Sequence, residues 1–234
     1  MPRLGGRKLH HQIKDDLEAG GLKMGRDRLF GILRKYSMLI LPRRRYTQTT
    51  MSRHWLRKYP NLVKGLEIKR PDQVWVSDIT YLKTDEGNCY LNLVTDAYSR
   101  KIMGYAVADN METAQMKKAF EMSLKNKKTP ESPLIHHSDR GVQYCSSEYV
   151  RIANENRVAM SMTEDSDPYE NALAERMNRT LKEEFGLGKV LASKEQAKIL
   201  VKEAVNLYNN YRPHLSLRMR TPQSVYQQKS QSLA

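Results

Sequence analysis

The chain has 234 residues, of which 39% are hydrophobic and 28% are charged, so it is long enough for one or two domains with a substantial core and too apolar to be disordered. No apolar run approaches the roughly 20 residues of a membrane helix, and the first residues lack the apolar segment of a secretory signal, which favours a cytoplasmic protein with no membrane partner. Cys89 and Cys145 form neither a metal-binding spacing nor a disulfide framework, and we expect reduced thiols.

The positive charge is concentrated at the front of the chain. The formal net charge is +14. Residues 1–72 carry 18 Lys and Arg against 6 Asp and Glu, a net +12, whereas residues 73–234 carry 22 against 20, a net +2. This asymmetry predicts a polyanion-binding region attached to a nearly neutral body; a generic solubilising surface is the alternative.

Two short helices are predicted in the first region, residues 1–45. Apolar residues recur every fourth position from Leu9 to Leu17, which indicates an amphipathic helix, and a Gly-Gly pair then ends it. A second helix is predicted over Arg26–Lys35. Two helices around a glycine turn fit a helix-turn-helix, whose second helix enters the major groove, although many helical hairpins bind nothing. The candidate DNA contacts on this second helix are Arg26, Arg28 and Arg34.

A basic run follows the helical hairpin. Arg43, Arg44 and Arg45 come directly after a proline and are candidates to contact DNA phosphates, with a solvated linker as the alternative. We assign residues 46–72 to a basic linker and residues 73–228 to a separate core.

The core has the pattern of a mixed α/β fold. From Gln73 onward the sequence is rich in β-branched and aromatic residues, and helical periodicity alternates with short apolar runs. The predicted strands are 74–82, 88–98, 101–108, 133–137 and 158–162; the predicted helices are 112–126, 146–157, 169–185 and 193–211. The first three strands read as an antiparallel meander, so we predict a five-stranded sheet of mixed direction with flanking helices.

Two aspartates lie on predicted strands or at their ends. Asp78 is inside a strand that is apolar on both faces, where an unpaired carboxylate is costly, so it needs a salt bridge or a metal. Asp139 follows the fourth strand, at the strand end where sites of open α/β sheets gather, although an Asp before Arg-Gly is also a common turn residue. His136 and His137 precede it, but no further His or Cys cluster completes a zinc site.

A third acid lies on the helix predicted at 169–185. Glu175 is on the side away from the apolar stripe, with Asn171 one turn before it and Lys182 two turns after it. For the helix alone, a solvated face is the simpler interpretation. With Asp78 and Asp139, however, Glu175 completes a carboxylate set suited to Mg²⁺, and two such ions stabilise the attacking and leaving oxygens of a phosphoryl displacement.

Three segments together resemble the catalytic motifs of retroviral-integrase-like (DDE) transposases: WVSDITYL, HHSDRGVQY and ENALAERMNRTLKEE. Thirty-five residues separate Asp139 from Glu175, as in that superfamily, and Lys182 matches its basic residue after the Glu. The tail YNNYRPHLSLRMRTPQSVY and the first helical segment resemble insertion-sequence family three transposases of the second-open-reading-frame type.

The resemblance implies an RNase H-like core and metal-dependent 3′-end cleavage and strand transfer. Asp78, Asp139 and Glu175 would be the ligands of two Mg²⁺ ions, with Mn²⁺ as an alternative, and Lys182 would contact terminal DNA together with Asn171. The implied partners are double-stranded DNA, further copies of the chain when ends are paired, and the product of an upstream reading frame; the implied location is the bacterial nucleoid.

Two other functions remain open at this stage. A truncated or domesticated transposase would bind element ends without catalysis, although the presence of all three acids argues against decay. A plain RNase H-like nuclease would cut without joining, although the basic front and the tail motif argue against it.

Overall fold

The structure is a computed structural model that describes residues 3–40, 58–110, 113–129, 131–164 and 171–228. Its helices are α1 (Gly6–Ala19), α2 (Arg26–Lys35), α3 (Thr113–Lys125), α4 (Ser147–Glu155), α5 (Ala172–Glu184), α6 (Lys194–Asn210) and α7 (Pro222–Gln227). Its strands are β1 (Val74–Thr84), β2 (Gly87–Asp96), β3 (Ile102–Ala108), β4 (Leu134–Ser138) and β5 (Val158–Met162). Each predicted element is present, and most boundaries differ by one to three residues.

The predicted five-stranded mixed sheet is confirmed, with the strand order β3-β2-β1-β4-β5. Strands β1, β2 and β3 form the antiparallel meander, whereas β1 with β4 and β4 with β5 are parallel pairs. β1 is central, and its first residues Val74, Trp75 and Val76 are buried, as a strand covered on both faces requires.

One face of the sheet is covered by α3 and α4. The core there is aromatic and includes the buried side chains of Trp75, Phe120 and Tyr149. A Cβ atom at Gly104 would lie 2.1 Å from the carbonyl oxygen of Ala119, so β3 approaches α3 at a distance that only glycine allows.

The opposite face is covered by α5 and α6. Met177 and Leu181, from the predicted apolar stripe of α5, are buried together with Val201 and Tyr208 of α6. This packing fixes which side of α5 faces the sheet, and so it positions the polar residues of the helix relative to β1.

The segment before β1 packs on the core. Val63 and Ile68 lie against the apolar cluster around Val74, and the backbone N–H of Leu62 donates to Ser161 Oγ at 2.9 Å. Residues 58–72, which we predicted as part of a linker, therefore belong structurally to the core.

The first two helices form a pair that touches the core at few points. Leu29 and Leu33 of α2 are buried, and Phe30 packs on Gly6 of α1. The basic run Arg43–Arg45 lies outside the described residues. No helix in the described ranges is long and apolar enough to cross a membrane.

Candidate active site

The sheet brings Asp78 and Asp139 close to each other. Ser77 of β1 pairs with Ser138, the last residue of β4, in parallel register, so Asp78 on β1 and Asp139 directly after β4 are the next residues of the two segments. Paired residues of adjacent parallel strands are about 4.8 Å apart and point to the same face. The Asp139 side chain also accepts a hydrogen bond from the backbone N–H of Gly141 at 3.0 Å, which explains the Asp-Arg-Gly turn.

The surroundings of Asp78 oppose its ionisation. Burial, followed by the negative charge of Asp139, raises the pKa of Asp78 to about 7, and the charge of Glu175 contributes in the same direction. A hydrogen bond from Asn178 lowers the pKa but does not offset these effects. The three predicted carboxylates therefore interact electrostatically in this structure.

One face of α5 lies over β1 at Asp78. Asn178 Nδ2 donates to Asp78 Oδ2 at 2.7 Å, and Lys182 Nζ donates to Thr80 Oγ1 at 2.6 Å. Glu175 precedes Asn178 by three residues and therefore lies on the same face, one turn nearer the start of the helix. Its side chain is exposed to solvent.

Lys182 is a partly buried ammonium group close to the carboxylates. Burial lowers its pKa, and the negative charge of Asp78 acts in the opposite direction. Its Nζ also lies 4.6 Å from the centre of the Tyr81 ring, a cation–π distance. The helix thus places a positive charge beside Asp78 by packing alone.

The chemical nature of the three candidate ligands suits a hard divalent cation, but their positions in this structure suit it only in part. All three candidate ligands are carboxylates, which suit Mg²⁺ or Mn²⁺, and a cation would relieve the repulsion that raises the pKa of Asp78. Among the described residues, however, no three His, Cys, Asp or Glu side chains lie close enough to hold one ion. The two aspartates are brought together by the sheet, and Glu175 lies outside their pair.

The two histidines before Asp139 belong to the buried core. His136 Nε2 is 3.0 Å from Tyr149 Oη, and His137 Nδ1 is 2.8 Å from Ser161 Oγ. Burial, with the charge of His137, lowers the pKa of His136 to about 3. These interactions give both side chains a role in packing.

The predicted DNA-contact residues have different placements. Arg26, Arg28 and Arg34 are exposed on α2, and Arg26 Nε is 3.4 Å from Asp27 Oδ1. Asn171 is only 5% exposed, and its Nδ2 donates to the backbone carbonyl of Ser77 at 3.2 Å. This burial does not support the predicted DNA contact by Asn171; the side chain instead ties the start of α5 to β1 beside Asp78.

Sequence reasoning missed Asn178 and Thr80 as parts of the site. The signal for Asn178 was present, because it follows Glu175 by three residues and precedes Lys182 by four, which places all three on one helical face. Thr80 follows Asp78 by two residues and so shares its face of β1.

Comparisons with known proteins agree with this arrangement. Residues 68–168 and residues 156–222 each match a family described as Integrase core domain. An uncharacterized 31 kDa protein of insertion element IS600 from Shigella sonnei is 32% identical over 225 residues, which cover 95% of this chain and 82% of the relative. Transposase InsF for insertion sequence IS3A from Escherichia coli is 30% identical over 205 residues, which cover 87% of this chain and 71% of the relative.

The chain belongs to the IS3 family of insertion-sequence transposases. The resemblance seen in the motifs is thus confirmed, and the protein is a transposase, a polynucleotidyl transferase of the DDE class.

Solved structures show the same fold for the transposase. The HTLV-2 integrase catalytic core domain in complex with magnesium aligns with a TM-score of 0.52 at 16% identity, covering 67% of this chain and 97% of that one. A chain of the simian T-cell lymphotropic virus intasome in complex with PP2A regulatory subunit B56 gamma aligns with a TM-score of 0.60 at 15% identity, covering 98% and 76%. The integrase-type, RNase H-like fold predicted for the core is confirmed.

Proposed function

We propose that this transposase cleaves DNA at the ends of its element and joins the resulting 3′ hydroxyl to a second phosphodiester. The observation that carries this proposal is the carboxylate pair formed by Asp78 on β1 and Asp139 directly after β4. Burial, together with the repulsion within this pair, raises the pKa of Asp78 to about 7 in the metal-free protein. Such an arrangement is unfavourable unless a cation is bound, and perturbed pKa values of this kind cluster at active sites.

The proposed metal ligands are Asp78, Asp139 and Glu175. Two bound Mg²⁺ ions would stabilise negative charge on the attacking and leaving oxygens of the phosphoryl displacement. The magnesium in the HTLV-2 integrase core supports this assignment, because that domain has the same fold.

The exposed position of Glu175 is consistent with a ligand that reaches the two aspartates only when metal and DNA bind. Three carboxylates repel one another in the absence of a cation, and two of them are fixed by the sheet. Glu175 lies in the first turn of α5 and is exposed to solvent. We therefore propose that Glu175 moves towards the aspartates when metal and DNA bind.

The other residues of the site orient the Asp78 carboxylate and balance negative charge. Asn178 restricts rotation of the Asp78 carboxylate by donating to its Oδ2. Lys182, held at Thr80 and only partly solvated, presents its ammonium group to a DNA phosphate near the reacting bond. Little covalent chemistry falls to the side chains, because positioning and charge neutralisation supply most of the rate in phosphoryl transfer.

The remaining partners follow from charge and from the reaction. The exposed arginines of α2 and the run Arg43–Arg45 are proposed DNA contacts, and synapsis of two ends would bring at least two copies of the chain together. An upstream reading-frame product is a further proposed partner. Because its proposed substrate is chromosomal element DNA, we propose that the protein is located at the bacterial nucleoid.

A joining assay tests the proposal. The full chain is incubated with Mg²⁺ and a labelled duplex that carries an element end, and products are separated on a denaturing gel. We expect joined products for the wild type and none for Asp139→Asn, which removes a ligand but should retain duplex affinity. The matched control is Asp109→Asn, an exposed acid paired with Lys194 at 3.5 Å, which should join normally.

The same gel separates the alternatives. Cleaved but never joined duplex would identify a nuclease. Duplex that is bound but neither cut nor joined, in Mg²⁺ or Mn²⁺, would identify a non-catalytic DNA-binding derivative. Joining by Asp139→Asn within a few-fold of the wild type would refute the metal assignment.

A further inference from the structure

A basic cavity of about 270 Å³ lies between the turn after β2 and the segment that precedes α7. Tyr98 and Arg100 line it from the turn, and Ser216, Arg218 and Arg220 line it from the C-terminal segment. Three arginines and no acidic residue thus face one cavity, on elements that are more than 110 positions apart in the sequence.

Two of these arginines lack a hydrogen-bonded or ion-paired partner in the described part of the chain. Neither the guanidinium group of Arg100 nor that of Arg218 makes a hydrogen bond or ion pair with a described residue. Arg220, in contrast, donates from Nε to the carbonyl oxygen of Leu217 and from Nη1 to Gln228. Arg100 is partly buried, so its unused donors incur a desolvation cost, and burial lowers its pKa.

The backbone at both unpartnered arginines is in the left-handed region. The φ angle is 66° at Arg100 and 55° at Arg218. Residues with a Cβ atom adopt this conformation at an energetic cost, which glycine would avoid, and such strain concentrates at functional sites. Arginine at two strained positions beside the same cavity indicates that its side chain is used.

Positive charge also connects the cavity to the catalytic helix. Burial lowers the pKa of Arg100 most. The charges of Tyr208 and Asp96 raise this pKa, and the charge of Arg176, which directly follows Glu175 on α5, lowers it. Tyr98, at the cavity wall, is 36% exposed and offers a hydroxyl group and a ring to a ligand. Arg176 of α5 and the three cavity arginines therefore place positive charge on both sides of this region.

We propose that this cavity binds a backbone phosphate of the DNA on which the transposase acts. The guanidinium fork of arginine matches the oxygens of a phosphate, and three such groups around one cavity favour a strongly charged oxyanion. The inference rests on the proposed DNA-joining function and adds a phosphate contact on the core, distinct from the helix-turn-helix arginines.

The test measures duplex affinity of the full chain against salt concentration, by anisotropy of a labelled 30-base-pair duplex in EDTA. Arg100→Gln and Arg218→Gln should each lower the slope of log affinity against log salt by about 0.9, equivalent to about eightfold weaker binding at 0.1 M salt. The matched control is Arg157→Gln. Arg157 is exposed, as Arg218 is, and its backbone is left-handed with φ 54°, but it is paired with Glu131 at 2.9 Å.

A second variant guards against loss of folding. Ser216→Glu adds a negative charge to the exposed cavity wall and retains all three arginines, and it should weaken duplex binding at an unchanged melting temperature. The proposal is overturned if these variants bind as Arg157→Gln does, or if inorganic phosphate protects the wild type from unfolding while the duplex measurements stay unchanged.

Failure of this inference is distinguishable from failure of the proposed function. A wild-type chain that neither binds duplex nor joins it with Mg²⁺ contradicts the proposed function itself. A wild-type chain that binds and joins, with cavity variants that match the control, contradicts only the cavity.

Discussion

The carboxyl group of Asp78 illustrates how one residue combines a structural cost with a functional use. Its carboxylate is desolvated, faces the negative charge of Asp139, and is restrained by Asn178. Desolvation and like charge both favour the protonated form, so the folded protein holds this proton more tightly than the unfolded chain does. A bound cation would relieve the repulsion between the two carboxylates, and this relief would favour cation binding.

We predict that Asp78→Asn stabilises the metal-free protein at high pH. The folded pKa is raised to about 7 from the ordinary 3.8, so the wild type loses stability as the pH rises from about 4 to about 7. An asparagine cannot ionise and still accepts the bond from Asn178, so the variant should be more stable at pH 8 by roughly 1–3 kcal/mol and about equal at pH 4.

Urea unfolding in EDTA at the two pH values measures this effect. Asp109→Asn, at an exposed ion pair, is the control and should shift stability little at either pH. Equal destabilisation by Asp78→Asn at both pH values would show that the carboxylate is satisfied without a cation.

A second prediction at this scale concerns Lys182. Replacement by Gln removes the ammonium charge but keeps a donor for Thr80, so joining should fall on the order of tenfold to hundredfold. Mg²⁺ affinity, measured by calorimetry, should change little, since Lys182 is not a ligand. Lys202→Gln, at an exposed position of α6, is the control. A parallel loss of metal affinity and joining would argue against the DNA contact.

At the scale of elements, α5 connects the site to the rest of the chain through its last residue. Glu184 accepts two hydrogen bonds from Arg212, each of 2.7 Å, and one from Lys8 of α1 at 2.8 Å. Burial raises the pKa of Glu184, but the two cations outweigh it and the net pKa is lowered. Gln12 of α1 also donates to the carbonyl oxygen of Tyr211. The helix that carries Glu175 and Lys182 is thus joined both to the helical pair and to the C-terminal segment.

We predict that Glu184→Gln destabilises the protein by roughly 2–4 kcal/mol, because Arg212 is 4% exposed and would be left as a buried unpaired charge. The lowered pKa means that this stability is present at neutral pH and is lost as the pH falls through the carboxyl range. Urea unfolding at pH 7 measures the change, with Glu155→Gln, at an exposed pair with Arg151, expected to cost less than about 1 kcal/mol. A loss as small as that of the control would mean that the cluster contributes no net stability.

At the scale of the whole molecule, the positive charge is concentrated towards the front of the chain, where we propose DNA contacts. The first 72 residues carry a net +12 and the remainder a net +2. A basic region accelerates encounter with DNA and supplies affinity that depends little on sequence, whereas a nearly neutral core limits repulsion within the fold. The three carboxylates and the cavity arginines place local charges of opposite sign within that neutral core.

We predict that replacing Arg43, Arg44 and Arg45 together by Ala weakens binding of all duplex sequences alike and lowers the salt slope by about 2–3 units if each meets one phosphate. Anisotropy with two unrelated duplexes measures both effects. A control with Lys69, Arg151 and Arg157 changed to Ala removes three exposed, ion-paired charges and should leave the slope nearly unchanged. An unchanged salt slope in the Arg43–Arg45 variant would show that these residues do not contact DNA phosphates and would favour the solvated-linker interpretation.

The sequence alone determined the elements and the two candidate carboxylates associated with the sheet, Asp78 and Asp139. Strand alternation and helical periodicity are local patterns, with repeats of two and of 3.6 residues, so they are readable without knowledge of the fold. Asp78 inside a doubly apolar strand and Asp139 at the end of another were identifiable because a charge in such a place breaks its pattern. The position of Glu175 on a predicted helix and the chemistry of Mg²⁺ ligands added this residue, and the motifs added the family.

Only the tertiary structure decided which distant residues meet. Asn178 and Asp78 are 100 positions apart, Lys8 and Glu184 are 176 apart, and the cavity joins two turns that no periodicity relates. The same holds for Asn171, which the motif places near DNA and which packing buries against β1. Such contacts depend on how β1 packs against α5 and on where the two terminal segments lie against the core. Local sequence patterns do not determine either, because each residue fits its own helix or strand equally well whether or not its distant partner is present.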